Sequence, residues 1–409
     1  MPPSSFRLLS CTVALFATLT TQAQQVNDFP APDDPLHKRV ELYDALMRGN
    51  HINEGVFMQH IIFPPVGTEA PMVGSQEDCI EVTGAMLAAY CYRYAITKDP
   101  VHRQQCHDIL AGIEKLEKVT GVPGVFARSL NKTDTPLWHE RHHFFPIEWH
   151  ESTTMPGYRW EGDLSSDKFV DLCYMLGVYY DMAADVEHKA VVAGILDRFV
   201  GRVVDYNFKL VDVDNKMTLW GNFSPDIPHQ PLNALEMLAA LKTTWRITGK
   251  ERYRAAYHRL IDEHGYADEA ILAKTIWPDM WNVIWDDKLA CKSYFQLFPH
   301  ETDPTLLNKY TMAINRHQYT WAQLDYKRHG EIWFPMVYAA LTGDRSVVTP
   351  EVLEALRTME GFQRHSGSFP VEQADGTTVQ VPSEHEDNAA EMIRNYWFAR
   401  YYGFIDETW

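Results

Sequence analysis

Four stretches of this sequence concentrate residue types that handle polar substrates. Tyr158-Arg159-Trp160-Glu161-Gly162-Asp163-Leu164-Ser165-Ser166-Asp167 joins an indole to a guanidinium and several carboxylates. Trp220-Gly221-Asn222, with His229 and Asn233 after it, repeats the theme, as do Trp285-Asp286-Asp287 and Glu384-His385-Glu386-Asp387. Aromatic faces hold sugar rings, carboxylates bond hydroxyls or move protons, and cations meet an acidic substituent. On that chemistry Asp163 or Asp167, paired with Asp286, would serve a hydrolase that works with two carboxylates. Arg128, Arg159 and Asn222 suit neutralisation of a uronate carboxylate, and His143, His229 or a loop tyrosine suits removal of the ring proton beside it. Trp160, Trp220 and Trp285 are candidate sugar platforms, and Glu386 is a candidate substrate contact. Plainer uses compete with each. Ser165-Ser166-Asp167 can cap a helix, and any of the three indoles can be core. His139-Glu140-Arg141-His142-His143, with His150 following, matches no zinc spacing, so neither a metal nor another cofactor is expected.

The elements that must position these residues repeat. Over residues 75–97, Cys79, Val82, Met86, Tyr90 and Tyr94 form one apolar stripe, and Ile80, Leu87, Cys91 and Ala95 form a second, which predicts a helix buried nearly all round. After Lys98-Asp99-Pro100 an amphipathic helix turns Cys106, Ile109, Ile113 and Leu116 inward. The alternation recurs in 169–183 with 187–208, 232–248 with 251–264, 289–298 with 304–316, and 332–342 with 350–359. The joints are alike, as in Arg246-Ile247-Thr248-Gly249-Lys250 and Ala340-Leu341-Thr342-Gly343-Asp344. Each ends one helix in a tight turn and opens the next with an acidic residue or proline. Helices over 36–48 and 389–402 remain, one at each end. If they pair, the chain closes as an all-α fold, an (α/α)6-type toroid of helical hairpins with slight β content near 209–219 and 368–381. The long loops entering the inner helices then surround one cleft and bring the polar stretches together.

Composition limits the partners. The chain has 55 acidic and 37 basic residues and a net charge of −18. A negative field of that size argues against nucleic acid and against anionic membranes. Arg7, an apolar run from Leu8 to about Thr18, and Thr21-Gln22-Ala23 have the layout of a secretory signal peptide over 1–23, with one toroid domain over 24–409. The expectation is a secreted or periplasmic protein without membrane insertion. Cys79, Cys91, Cys106, Cys173 and Cys291 sit in apolar helical patterns without a CxxC, which reads as buried thiols, with a Cys91–Cys106 disulfide as the alternative.

The Tyr158–Asp167 stretch, continuing to Tyr179-Tyr180-Asp181, resembles a segment of secreted bacterial glycan-degrading toroid proteins. Leu210-Val211-Asp212-Val213-Asp214, Leu232-Asn233-Ala234-Leu235-Glu236 and the Ile247-Thr248-Gly249 joint are similar too. The resemblance spans about 125–340 and is to polysaccharide lyases that cleave rhamnose–glucuronate linkages. It implies a toroid fold and a uronic-acid-containing saccharide as partner, with β-elimination preferred. A paired-carboxylate glycoside hydrolase is the alternative, and a non-catalytic saccharide-binding protein a second. Fold analogy alone establishes no chemistry.

Overall fold

The short joints between helices show how the sequence sets its hairpins. Helix α1 spans Leu36–Asn50, α2 Cys79–Thr97 and α3 Pro100–Lys118. The α2–α3 joint turns on Lys98 at φ 55°, and Asp99 then caps α3 by accepting from Val101 N. Helices α4 (Ser166–Met182) and α5 (Val186–Asp205) follow, with Asp185 accepting from His188 N at the α5 cap. Helix α6 (Pro231–Thr248) stops at Gly249, φ 66°, before α7 (Glu251–Asp262) and the single turn α8 (Tyr266–Glu269). Helix α9 spans Ile284–Leu297, α10 Pro304–Thr320, α11 Trp333–Thr342, α12 Pro350–Thr358 and α13 Ala390–Tyr401. Helix α11 stops at Gly343, φ 80°. The two glycines enter the left-handed region without the Cβ penalty that Lys98 carries.

This computed structural model describes residues 30–31, 33–63, 73–75, 78–135, 148–274, 284–322, 331–359, 361, 364–372 and 377–409. The expected signal peptide lies outside them, as do His139, Arg141, His142 and His143.

Helices α2, α4, α6, α9, α11 and α13 form the inner ring: α2 packs on α4, α4 on α6, α6 on α9, α9 on α11, and α13 on α2. The α11–α13 contact is made by the Arg394 guanidinium, 4.0 Å above the Trp333 ring, and by Phe398. Aromatics fill the ring centre: the Tyr92 and Tyr174 hydroxyls lie 3.3 Å apart, and Tyr174 meets Phe295 and Trp333 edge-on. The outer helices bury one face each, such as Ile195, Leu196 and Phe199 of α5 and Tyr253, Tyr257 and Leu260 of α7. The end helices meet, as the toroid requires. Helix α1 packs on α13, Ala389 N donates to Met47 Sδ, and His37 N donates to Trp409 O at 2.7 Å. The all-α toroid predicted from periodicity is the fold observed.

The β content is greater than the periodicity suggests. A two-stranded sheet pairs β1 (Ile52–Asn53) with β2 (Val56–Phe57). A four-stranded antiparallel sheet has the order β10-β11-β3-β4, with β3 at His60–Ile62, β4 at Val73–Ser75, β10 at Arg364–Glu372 and β11 at Thr378–Asp387. A three-stranded sheet pairs β7 (Tyr158–Glu161) with β5 (Ser129–Lys132) and β6 (Trp149–Glu151). The expected hairpin near 209–219 is β8 (Lys209–Val211) with β9 (Met217–Asn222). All five cysteines among the described residues are buried thiols, with Cys91 Sγ and Cys106 Sγ 3.8 Å apart. No helix among the described residues is long and apolar enough to cross a membrane.

Candidate active site

The inner helices start at one end of the ring, and each brings a carboxyl there within about two turns of its start. These are Glu81 on α2, Asp167 and Asp171 on α4, Glu236 on α6, Asp286 and Asp287 on α9, Glu331 just before α11, and Glu391 on α13. Helix N-termini favour such groups because free N–H groups and the macrodipole face them. Basic side chains from the same helices, with Lys274 and His317 from outside the inner ring, cross-link them. Lys168 Nζ bonds Asp78 and also Asp167 Oδ2 at 2.8 Å. Lys292 pairs with Asp171, and Lys288 with Glu391. Lys274 Nζ lies 2.6 Å from Asp287 Oδ2, and His317 Nε2 lies 3.0 Å from Asp287 Oδ1. A cavity of about 250 Å³ opens among these groups, walled by Glu81, Trp285, Lys288, Glu391 and Arg394.

Within this network neighbouring carboxyls are shifted in opposite directions. Burial raises Asp167, but Lys168, the Ser165 hydroxyl and Arg128 outweigh it and hold the carboxylate ionised, well below the usual range. Asp286 goes the other way: burial first, then the charges of Asp287 and Asp167, push it up to about 6 against the pull of Lys274. Burial likewise lifts Asp171 to about 6, opposed by Lys292. Burial raises Glu331, and Glu391 adds to it. Glu391 itself is held at about 2 because Lys288 and Arg394 overcome its burial.

Glu236 is the extreme member. Its side chain is buried, and neither carboxyl oxygen has a hydrogen-bond partner. Burial, then Asp286, Asp167 and Asp171, push it well above the usual glutamate range, which favours the neutral acid inside the ring. A folded-state pKa above the unfolded value gives a stability contribution that is full below the unfolded pKa and lost as pH rises through the folded one. Glu236→Gln keeps the shape without the charge. It should melt at the wild-type temperature near pH 4 and above it near pH 8, as followed by circular dichroism.

The sequence-predicted residues divide by place. Asp167, Asp286 and Trp285 all stand at inner-helix starts, near enough for the Asp167 charge to act on Asp286, and of the three Trp285 lines the cavity. Trp285 is 62% exposed, and Lys288 Nζ lies 4.6 Å over its ring. Asp163 has φ 54° and joins two loops: its N–H donates to Asp212 Oδ2, and its Oδ1 accepts from Leu219 N, both at 2.8 Å. Arg128 donates to Asp163 O and Ser165 Oγ, so it supports the α4 start. Arg159 donates to Thr135 O and faces the Trp149 ring. Trp160 is buried against His150, whereas Trp220 is half exposed on β9. Asn222 Oδ1 accepts from Ser224 N, a local turn. His229 is mostly exposed, 3.5 Å from Glu269, and does not join the cavity wall. Glu386 is fully buried on β11, with its carboxylate bonded by Arg364 and by Asn50 Nδ2. His143 lies outside the described residues. Glu236, Asp171, Lys288, Lys292 and Arg394 escaped sequence reasoning, although a charge on an apolar inner-helix face was a legible signal.

No family model matches the chain, and no curated protein matches it. Among solved structures, a family 76 glycoside hydrolase from a bovine Bacteroides thetaiotaomicron strain has a TM-score of 0.49 at 10% identity, covering 91% of this chain and 78% of that one. A sugar epimerase from a ruminal bacterium has 0.48 at 11%, covering 91% and 97%. A cellobiose 2-epimerase from Spirochaeta thermophila has 0.44 at 11%, covering 90% and 97%. At these values the likeness assigns neither reaction nor substrate to this chain.

Proposed function

We propose that the protein is a carbohydrate-active enzyme, a glycoside hydrolase that works in the central cleft with Asp286 as general acid and Asp167 as the ionised partner. One observation carries this reading. Two carboxyls on the first turns of α4 and α9 are shifted in opposite directions, Asp167 well below the usual range and Asp286, which feels the Asp167 charge, up to about 6. Glycosidic cleavage needs that division of labour, since one group protonates the leaving oxygen while the other activates water or attacks the sugar. The exposed Trp285 indole beside Asp286 supplies a stacking face, and Lys288 and Arg394 in the cavity wall suit a saccharide with an acidic group.

β-Elimination has less support. Arg128 and Arg159 spend donors on protein oxygens, and His229 stands with Glu269. The leader-like residues Arg7 to Ala23 support work outside the cytoplasm. The test is digestion of neutral and uronate-bearing oligosaccharides, read by product mass and near-ultraviolet absorbance. Hydrolysis adds one water and no chromophore. An absorbing, unsaturated product would replace this reading with elimination, and tight binding without turnover would leave a saccharide-binding protein.

A further inference from the structure

The sheet beside the cleft gathers four metal-binding side chains that the proposed hydrolysis does not use. Strands β3, β11 and β10 are antiparallel neighbours, with His60 opposite Asp387 and His385 opposite His365. Directly opposed residues share a face, and so do positions two apart on one strand. Three imidazoles and one carboxylate therefore stand on one face, while Ile61, Glu386 and Arg364 turn to the other. The second face is the structural one: Ile61 and Glu386 are fully buried, and Arg364 bonds Glu386.

On the first face, His60 Nδ1 lies 2.6 Å and His385 Nε2 3.2 Å from Asp387 Oδ1, and His365 Nε2 lies 3.5 Å from Asp387 Oδ2. The donor atoms of His60, His385 and Asp387 fall within 4.8 Å of one another. Zinc bonds of about 2.0–2.2 Å place neighbouring tetrahedral ligands about 3.3 Å apart, close to the spacings of the imidazoles from Asp387, and His365, outside the group of three, would swing inward to join it. Among the described residues Asp387 pairs with imidazoles alone. The grouping of His107, His188 and Asp185 differs. There Asp185 caps α5, and Arg103 Nη2 stands 3.8 Å from its carboxylate.

We propose that His60, His365, His385 and Asp387 form a zinc-type divalent metal site that clamps the β10–β11 hairpin to β3 at the rim of the cleft. Imidazole nitrogen with a single carboxylate selects borderline transition metals over magnesium or calcium. The clamp adjoins the cavity through the chain itself. Gln59 and Asn388, next in sequence to His60 and Asp387, line the cavity, and Asn388 Nδ2 donates to Gln59 O at 3.2 Å.

The test is titration of zinc alone into chelator-treated, untagged full chain, by calorimetry and by thermal midpoint. The expected result is one ion per chain and a midpoint raised by about 2–5 °C. His365→Ala removes a half-exposed ring, so it should keep the metal-free midpoint while weakening zinc at least about tenfold. Asp387→Asn should weaken it similarly, and a His142→Ala/His143→Ala variant should bind as wild type. The proposal is overturned if the folded wild type takes up no zinc, or if uptake survives undiminished in His365→Ala and Asp387→Asn. Loss of uptake in the His142/His143 variant would also overturn it.

Discussion

Asp286→Asn is expected to lower kcat about 10²–10⁴-fold, the range that a positioned proton donor contributes. Asparagine fills the same volume beside Trp285 and cannot give up the proton, so KM should change far less than kcat. Stability should not fall either. Burial, Asp287 and Asp167 raise the Asp286 carboxyl to about 6, so near neutrality its ionisation costs the folded state stability that asparagine does not lose. The pH profile carries the assignment. A general acid works while protonated, so wild-type kcat/KM should decline as pH rises through about 6. The acid limb belongs to Asp167, whose carboxylate Lys168, Ser165 and Arg128 keep ionised well below the usual range despite burial. Substrates with a good leaving group need little protonation and should recover most of the lost rate in the variant. Full activity of Asp286→Asn with a lowered melting point would reassign Asp286 to helix capping.

The ring was legible because its signals are local. Buried and amphipathic helices differ in a period that any 18-residue window exposes, and the joints at Gly249 and Gly343 carry the residue that a left-handed turn requires. Closure was legible too, because helices left over at the two ends have apolar faces that need covering. The start of α9 was not. Trp285, Asp286 and Asp287 read as a loop before residue 289, yet they form the first turn of a helix beginning at Ile284. Acidic residues ahead of an apolar run fit a loop or a helix start equally well, and only the neighbours decide. The sheets were hidden for another reason. Alternation on β11 places His385 and Asp387 on one face and Glu386 on the other, but Glu386 finds Asn50 across 336 residues of sequence. Glu386 therefore looked like a free carboxylate in a loop, where the structure gives it a buried ion pair with Arg364. Asp163 and Asp167 looked alike in the sequence, each a candidate partner for Asp286, and only the structure distinguishes the surroundings of Asp163. Its carboxylate accepts from Leu219 N on another hairpin.

Lys274→Met should be the most damaging single change to stability, costing about 3–5 kcal/mol, because it strands a buried carboxylate. The side chains of Lys274 and Asp287 are 1% and 3% exposed, and their charged atoms lie 2.6 Å apart. His317 Nε2 holds the other Asp287 oxygen at 3.0 Å, and Tyr294 OH fixes the ring through Nδ1 at 2.9 Å. For a chain of this length such a loss lowers the thermal midpoint by about 4–6 °C. Replacing both partners, as in Lys274→Met with Asp287→Leu, should recover most of it, since the pair repays little beyond its own desolvation. The pH dependence has a definite sign. Burial raises Asp287, but His317 and Lys274 bring its folded pKa below the unfolded value, so its contribution is present above the unfolded pKa and lost as pH falls through the folded one. Without Lys274 that carboxyl must rise, and the deficit against wild type should be largest near neutral pH and shrink in acid. The same lysine lowers Asp286, so its removal should also move the alkaline limb of activity to higher pH. A variant that loses stability while that limb stays in place would separate the buried pair from the proton donor beside it.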